Sequence, residues 1–209
     1  MLLNANKKIL MLMAFMDNFG HPKGLVGRLM LVIMDKEHFP MARWALDQLE
    51  FPQSGEIADI GCGGGYNMKR MLERSGSAKV YGIDISAESV RKAKKVNKSE
   101  LGKRCEVFQG SAEKLPFKDG QLDLVTAFET VYFWKNIGAC FKEVARTLKN
   151  GGKFAIICNY GDPKIDWEKK VPCMTRYTEK QLAELMKGAG LKDIVIRLHE
   201  TLYLVQGTK

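Results

Sequence analysis

The sequence predicts a doubly wound α/β fold, with a mostly parallel sheet, an antiparallel strand at its C-terminal edge and a helical segment before it. First, short apolar runs alternate after residue 51 with amphipathic stretches of about 10 to 15 residues, the pattern of βαβ units. Second, runs such as "LDLVTAF" (122–128) are apolar throughout, as strands covered on both faces must be. Third, the glycine-rich "GCGGG" (61–65) follows the first run, where open α/β sheets bind ligands.

The first 50 residues are expected to be helical and to form a lid segment, separate from a main domain over 51–209. Met11, Phe15 and Phe19 recur at helical spacing, and a glycine- and proline-containing break is predicted at 19–27. The start, "NKKILMLMAFM", resembles a signal peptide. Its apolar run is short, however, no cleavage site follows, and it falls far below the ~20 residues that span a bilayer. We therefore interpret it as a buried or lid-forming helix.

The main domain contains five predicted parallel strands and a terminal hairpin. The strands are Glu56–Ile60, Lys79–Asp84, Cys105–Gln109, Leu122–Phe128 and Lys153–Asn159, with helices near 66–75, 86–99 and 136–148. Thr178 and Gln181 form a capping box that begins a further helix, which ends at Gly188 to Gly190. The segments "KDIVIRL" and "TLYLVQG" then predict the hairpin, which brings the sheet to seven strands.

The composition indicates a folded domain with a lysine-rich surface. The 33 Lys and Arg residues against 24 Asp and Glu give a net charge of +9, which would also suit RNA or an anionic lipid. The lysines are spread along the chain, without a long basic block with interleaved aromatic residues, so we expect no nucleic-acid partner. The five cysteines show no C-x-x-C or His/Cys ligand spacing, which indicates reduced thiols in a cytoplasmic protein and no metal site.

The glycine loop indicates a nucleotide-like ligand. A glycine inside a strand or helix costs up to roughly 1 kcal/mol relative to alanine, so four within five residues need a reason. Without Cβ atoms the loop lets a ligand approach the backbone, and the N–H groups at the following helix start attract anionic groups. Gly61 and Gly63 fill the first two positions of the dinucleotide fingerprint, but the third falls on Tyr66. With Asp59 ahead of it, the loop suits a ligand with an amino-acid end, and Asp84 at the second strand tip can accept from ribose hydroxyls.

Four segments carry a resemblance to a known family. They are "IADIGCGGGYN", "VYGIDIS", "GSAEKLPFKDGQLDLVTAFETVYFW" and "EVARTLKNGGKFAI". In order and spacing they resemble the motifs of class I S-adenosylmethionine-dependent methyltransferases, most of all the ubiquinone/menaquinone biosynthesis branch. The resemblance covers about residues 55 to 160. It implies a Rossmann-like seven-stranded fold, S-adenosylmethionine as cofactor and methyl transfer as the activity.

The family also implies roles for matching positions. Asp59, Gly61 and Gly63 would hold the methionine end, Asp84 the ribose hydroxyls, and Ile85 the adenine. The remaining members of the predicted cofactor set are Cys62, Asn67, Ser111, Ala112, Glu113, Phe128 and Glu129.

Several of these positions have particular roles or depart from the family. Ser111 stands where the family usually has Asp, so it would be a weaker, uncharged acceptor for the adenine amine. Leu115 to Phe117 would close the adenine pocket, while Phe128 and Glu129 would lie beside the transferring methyl. In "LKNGGKF", Asn150 replaces the usual proline of a turn.

The acceptor side is predicted less sharply. The protein must hold the nucleophile about 3 to 3.5 Å from the methyl carbon and exclude water. A base is needed only if the acceptor loses a proton. The candidates are Glu129, Tyr132, Tyr160, His21 and His38, and each has a structural alternative as a methionine ligand, wall residue or surface group.

A small-molecule acceptor is the leading hypothesis, for a protein expected to be a monomer or homodimer. The place after the fourth strand reads "FETVYFW", without the motifs of base-methylating enzymes, and Pro172-Cys173 follows the fifth strand instead. Phe133 and Trp134 there could be helix core or could line the acceptor site. The alternatives are an RNA or protein methyltransferase that uses the basic surface, and a binding module without catalysis.

Overall fold

The computed structural model describes residues 24–161, 164, 166–171 and 173–209. In chain order its elements are α1 (Gly24–Asp47), β1 (Glu56–Ile60), α2 (Tyr66–Arg74), β2 (Lys79–Asp84), α3 (Ala87–Val96), β3 (Cys105–Gln109), β4 (Leu122–Phe128), a 3-10 turn (Val131–Phe133), α4 (Ile137–Thr147), β5 (Leu148–Asn159), α5 (Trp167–Lys170), α6 (Glu179–Gly188), β6 (Lys192–His199) and β7 (Leu202–Thr208).

The seven strands form one sheet in the order β3-β2-β1-β4-β5-β7-β6. Strands β1 to β5 pair in parallel, whereas β7 pairs antiparallel with both β5 and β6. The predicted fold class is thus confirmed, and the antiparallel strand lies one position inside the edge, which β6 forms. Strand order reverses at β1, which has β2 on one side and β4 on the other. This switch point opens a crevice at the carboxyl ends of β1 and β4.

Helices cover both faces of the sheet, as continuously apolar strands require. One core joins α1 and α2 to the sheet through residues such as Leu46, Met68 and Met71. The other joins α4 and α6 to the opposite face through Phe141, Met186 and their neighbours. These two layers hold the switch-point crevice between rigid elements.

Two predicted boundaries differ from the structure. Residues 24 to 27 of the predicted break are helical, because α1 already begins at Gly24; residues 19–23 and His21 lie outside the described part. Helix α1 packs against α2 and α3, and Met41 and Leu46 on it are buried, so tertiary packing outweighs the small cost of its glycines.

The segment "LKNGGKF" belongs to strand β5, which begins at Leu148 rather than at Lys153. Gly151 adopts φ 81°, and the β4–β5 register shifts between Leu122 and Leu124, so the predicted turn is an irregularity within the strand. Two backbone hydrogen bonds with Lys209 stabilise this irregularity. Gly151 N–H donates to the Lys209 carbonyl at 2.9 Å, and Lys209 N–H donates to the Gly152 carbonyl at 3.0 Å. Pairing with residues more than 50 positions away is not visible in a local pattern.

We predict that Gly82→Ala destabilises the fold. A Cβ on Gly82 would lie 2.4 Å from Met68 Sδ and 2.8 Å from Cys62 Sγ, below any normal contact. Overpacking of this kind typically costs about 1–3 kcal/mol in the free energy of unfolding. Urea unfolding measures it.

The matched control is Gly138→Ala in α4, where a new Cβ would meet nothing within 4 Å among the described residues. We expect it to be neutral or to stabilise by up to about 1 kcal/mol, because alanine favours helix. Equal unfolding midpoints for the two variants would contradict the packing argument.

Candidate active site

The glycine loop after β1 is held against the end of β2. The N–H groups of Gly61 and Cys62 donate to the Ile83 carbonyl at 2.7 and 3.1 Å. Gly61, Gly63 and Gly65 adopt φ values of 74°, 52° and 77°, in the left-handed region that favours glycine. A Cβ on Gly61 would also lie 2.1 Å from the Thr130 hydroxyl oxygen. The loop therefore needs glycine for its backbone conformation and for close approach at the crevice.

Asp84 ties this loop to the next helix. One carboxylate oxygen accepts from Gly63 N–H at 2.9 Å and the other from Ser86 N–H at 2.8 Å. Ser86 in turn caps α3 by accepting from Ser89 N–H at 3.3 Å. The Asp84 carboxylate is thus positioned at the carboxyl end of β2, on the wall of the crevice.

The crevice contains a cavity of about 320 Å³. Its lining brings together six predicted cofactor residues from three loops: Gly61, Asp84, Ile85, Ser111, Ala112 and Glu113. Ile85 is 43% exposed and lines this cavity, where it offers an apolar surface on which a flat ring could pack. A carboxylate next to an apolar wall, in a cavity of this volume, is typical of a nucleoside site.

Asp59 lies behind this cavity rather than on its wall. It is 2% exposed, pairs in register with Gly82 and Thr126, and accepts from the Thr126 hydroxyl at 2.7 Å. Burial raises the pKa of Asp59 to about 7; the Thr126 hydrogen bond opposes this and the Asp84 charge adds to it. Its predicted contact with the methionine end stays a prediction.

Four other predicted cofactor residues lie outside the lining. The Cys62 thiol is buried, and burial raises its pKa well above the ordinary value, so it stays protonated. The Gly63 N–H is occupied by Asp84, and the Asn67 side chain accepts from Arg70 at 3.0 Å. Phe128 is buried in the core on the α1 side. These residues support the loop and β4, and their direct contact with cofactor remains a prediction.

A second cavity of about 310 Å³ adjoins the first. It contains the predicted Glu129, Tyr132, Tyr160 and His38, and Phe133 lines both cavities. The other lining residues are Asn159, Gly161, Trp167, Val171, Met174 and Arg176. Trp134 lines the first cavity and stacks on Phe154 at 6.4 Å between ring centroids. It therefore belongs both to the cavity wall and to the core.

Glu129 occupies a strained position at the tip of β4. Its φ is 51°, which is uncommon outside glycine and typical of functional sites. Its N–H donates to the Ile157 carbonyl at 2.9 Å, and its carboxyl accepts from Asn159 N–H at 2.6 Å. Burial raises the pKa of Glu129 to about 7, against the opposing effects of the Tyr132 hydroxyl, the Asn159 N–H and the Arg176 charge. A carboxyl poised near neutrality in a cavity suits proton transfer.

Sequence reasoning missed several wall residues. Thr130, Lys135 and Cys140 line the first cavity, and Thr130 could have been found because it follows Glu129 directly. Trp167 and Arg176 reach the second cavity from the segment after β5, where no motif marks them. Leu115 and Phe117 are buried in the core and do not line the first cavity, and their part in closing an adenine pocket stays a prediction.

The described residues contain neither a candidate metal site nor a helix that could span a membrane. Within the described residues, no group of three or more His, Cys, Asp or Glu side chains could hold a metal ion. No helix in that part of the chain is long and apolar enough to cross a membrane.

Comparisons with known proteins agree on the family. A family model described as a methyltransferase domain matches residues 58–156. The uncharacterized methyltransferase YdaC of Bacillus subtilis is 30% identical over 165 residues, which cover 79% of this chain and 87% of that protein. The chain belongs to the class I S-adenosylmethionine-dependent methyltransferases.

A further sequence relative and a solved structure are also similar to this methyltransferase. The ubiquinone/menaquinone biosynthesis C-methyltransferase UbiE of Geotalea uraniireducens is 30% identical over 125 residues, 59% of this chain and 53% of that protein. The crystal structure of a SAM-dependent methyltransferase from Aquifex aeolicus has a TM-score of 0.72 at 22% identity, covering 86% of this chain and 97% of that one. That structural likeness shows the shared fold.

The methyltransferase uses S-adenosylmethionine, and the first cavity is compatible with it. The cavity offers a carboxylate for hydroxyl groups, an exposed isoleucine for a flat ring and a glycine backbone where side chains are sterically excluded. These are the surfaces that a nucleoside with a short polar tail requires.

We predict that Asp84→Asn weakens S-adenosylmethionine binding at least about tenfold, because hydrogen bonds to a charged acceptor are roughly twice as strong as neutral ones. Isothermal titration calorimetry measures the affinity. Asp123→Asn is the matched control: Asp123 accepts from Glu56 N–H and from Lys149, and it lines neither cavity. Unchanged affinity in the Asp84 variant would contradict its role at the ribose.

Proposed function

We propose that this methyltransferase acts on a small-molecule acceptor in the cytoplasm and that the second cavity holds the acceptor. The observation that carries this proposal is the junction of the two cavities. Consecutive residues separate them, since Thr130 lines the first cavity and Glu129 the second, and Phe133 lines both. A methyl group presented from the first cavity would reach a nucleophile in the second across this boundary.

We assign the cofactor residues roles according to their positions around the first cavity. Asp84 binds the ribose hydroxyls, Ile85 packs on the adenine, and Ser111, Ala112 and Glu113 surround its edge. Toward the methionine end lie Gly61 and, behind it, Asp59 with Gly63, Cys62, Asn67 and Phe128. When bound, S-adenosylmethionine supplies an electrophilic methyl group, so the chain's own residues need only position the acceptor, exclude water and manage a proton.

Glu129 is the proposed proton acceptor. With S-adenosylmethionine held by the first cavity, its sulfonium would supply the methyl group and leave as the neutral thioether, and the Glu129 carboxylate would take the proton that the acceptor's oxygen or nitrogen loses. Tyr132 is 5% exposed, and burial raises the pKa of its hydroxyl well above the ordinary value. It therefore stays protonated, and it can orient the acceptor as a hydrogen-bond donor.

The size and walls of the second cavity favour a small acceptor. A volume of about 310 Å³ suits a molecule of one or two rings, and aromatic side chains form much of the lining. The proposed lid, residues 1–50, contributes His38 to this wall through α1, while 51–209 forms the catalytic domain. Phe39, which follows His38, has its ring centroid 4.8 Å from the Arg70 guanidinium. This cation–π contact holds that part of α1 against α2.

The acceptor class can be tested by release of S-adenosylhomocysteine in the presence of small phenols, amines and thiols, of total RNA, and of mixed peptides. We expect turnover with members of the small-molecule set alone. Turnover with RNA that falls steeply with salt would instead favour the basic surface as the substrate site.

We predict that Glu129→Gln removes a pH-dependent step from catalysis. Because the carboxylate is the active form and the pKa is about 7, wild-type kcat/KM for the acceptor should rise with pH and level off above about 7. The variant should lose about 10²- to 10⁴-fold in kcat and show no such rise.

Two further carboxyl variants separate this effect from others. Glu100→Gln removes a carboxyl that pairs with Arg104 away from both cavities, and should leave the profile unchanged. Asp59→Asn should keep the rise near pH 7 whatever it does to the rate, because Asp59 lines neither cavity. Persistence of the rise in Glu129→Gln would show that another group carries it.

A further inference from the structure

We propose that the acceptor is a small aromatic carboxylic acid and that Arg176 determines this specificity by binding the carboxylate. The inference rests on the proposed function, because it takes the second cavity as the acceptor site. It names a feature of the acceptor that methyl transfer itself does not require.

Arg176 is a cation on the wall of a largely aromatic cavity. Its guanidinium donates to the Tyr160 carbonyl, and its backbone N–H donates to the Glu168 carboxylate at 2.8 Å. Across the part of the chain that the structure describes, this guanidinium forms no ion pair with a carboxylate, whereas those of Arg74, Arg91, Arg104 and Arg146 each do. Arginine carries five N–H donors in a planar fork that matches a carboxylate, so donors remain for a ligand.

Glu129 does not neutralise Arg176 directly. The Glu129 carboxyl is anchored to the N–H of Asn159, and the Arg176 guanidinium to the carbonyl of Tyr160, the next residue. Two residues of extended chain span about 7 Å, so the two groups face the same cavity from neighbouring anchor points. The Arg176 charge lowers the pKa of Glu129 but is outweighed by burial, as expected for a cation nearby and not in contact.

The walls between these two groups suit a flat ring. Tyr132, Phe133, Tyr160 and Trp167 supply aromatic surface, and the Tyr160 and Tyr203 rings pack at 4.5 Å between centroids, which fixes one side of the chamber. The Trp167 indole Nε1 is buried and has no hydrogen-bond partner among the described residues.

These observations define the acceptor from both ends. A proton-bearing hydroxyl or amino group belongs at Glu129, where the proton is taken, and an acid group belongs at Arg176. None of the described carboxylates contacts the Arg176 guanidinium, so exclusion of water on binding favours an acceptor that brings a negative charge into contact with it, because a desolvated charge without a contacting partner is costly. A neutral ring of the same shape would not supply that charge.

The test compares acids with their amides. The probes are the isomers of hydroxybenzoate and aminobenzoate, each with the matching benzamide, titrated calorimetrically into the protein saturated with S-adenosylhomocysteine. We expect at least one acid to bind about tenfold or more tighter than its amide in the wild-type protein. Arg176→Gln should bring this ratio close to one, and Arg176→Lys should retain part of it because the charge remains without the fork.

Arg91→Gln is the control, since Arg91 pairs with Glu88 on α3 and lines neither cavity; it should keep the wild-type ratio. A purely structural Arg176 would lower the melting temperature and weaken acid and amide alike, leaving the ratio unchanged. That result would overturn the inference, as would the absence of acid preference or of any binding by these probes.

Methyl transfer measured on the same proteins separates the two proposals. Turnover of neutral small molecules that is unaffected by Arg176→Gln would leave the small-molecule function standing and reject the carboxylate. Turnover of no small molecule, with S-adenosylmethionine still bound, would reject the proposed function itself.

Discussion

The hydrogen bonds of the Asp84 carboxylate are the interaction on which the first cavity of this methyltransferase depends. The carboxylate accepts backbone N–H groups from the glycine loop and from the start of α3, so one side chain couples β1, β2 and the helix that follows. The coupling works only because Gly63 adopts a left-handed conformation and Gly82 leaves room for Met68 beneath the loop. The same carboxylate also lines the first cavity, and its orientation is therefore set before any ligand binds. Preorganisation of this kind lowers the ordering cost of binding.

Strand β4 plays the corresponding part at the proposed acceptor site. Beyond the irregularity between Leu122 and Leu124, the strand pairs in parallel with β5 up to Phe128, and the chain then turns sharply through the positive φ of Glu129. That turn places Glu129 in one cavity and Thr130 in the other, and Phe133, three residues after Thr130 in the 3-10 turn, lines both. A strained residue held by Asn159 and Ile157 of the neighbouring strand is a fixed boundary, and a fixed boundary sets the relative position of donor and acceptor.

The strands, the fold class and the glycine-loop and Asp84 part of the first cavity could be predicted from local signals in the sequence, whereas Ile85 and Ser111 to Glu113 are implied only by the family resemblance. Apolar runs define strands, and glycines or Asp84 at strand tips define the loops that line the crevice. The segment that supplies Trp167 and Arg176 carries no such signal, since it reaches the second cavity through tertiary packing alone. The sequence also did not reveal that Asp59 lies off the cavity wall. Its register with Thr126, rather than its residue type, decides that position.

Asp59 and Glu129 show why a raised pKa does not by itself identify a catalytic carboxyl. Burial raises the pKa of each to about 7, yet their surroundings differ. Asp59 is buried beside Thr126, whose hydroxyl also contacts Met71, and it lines neither cavity. Glu129 faces a cavity large enough for a ring and lies one residue from the cofactor cavity. The same desolvation therefore accompanies buried packing at Asp59, whereas at Glu129 access to the second cavity supports the proposed proton transfer.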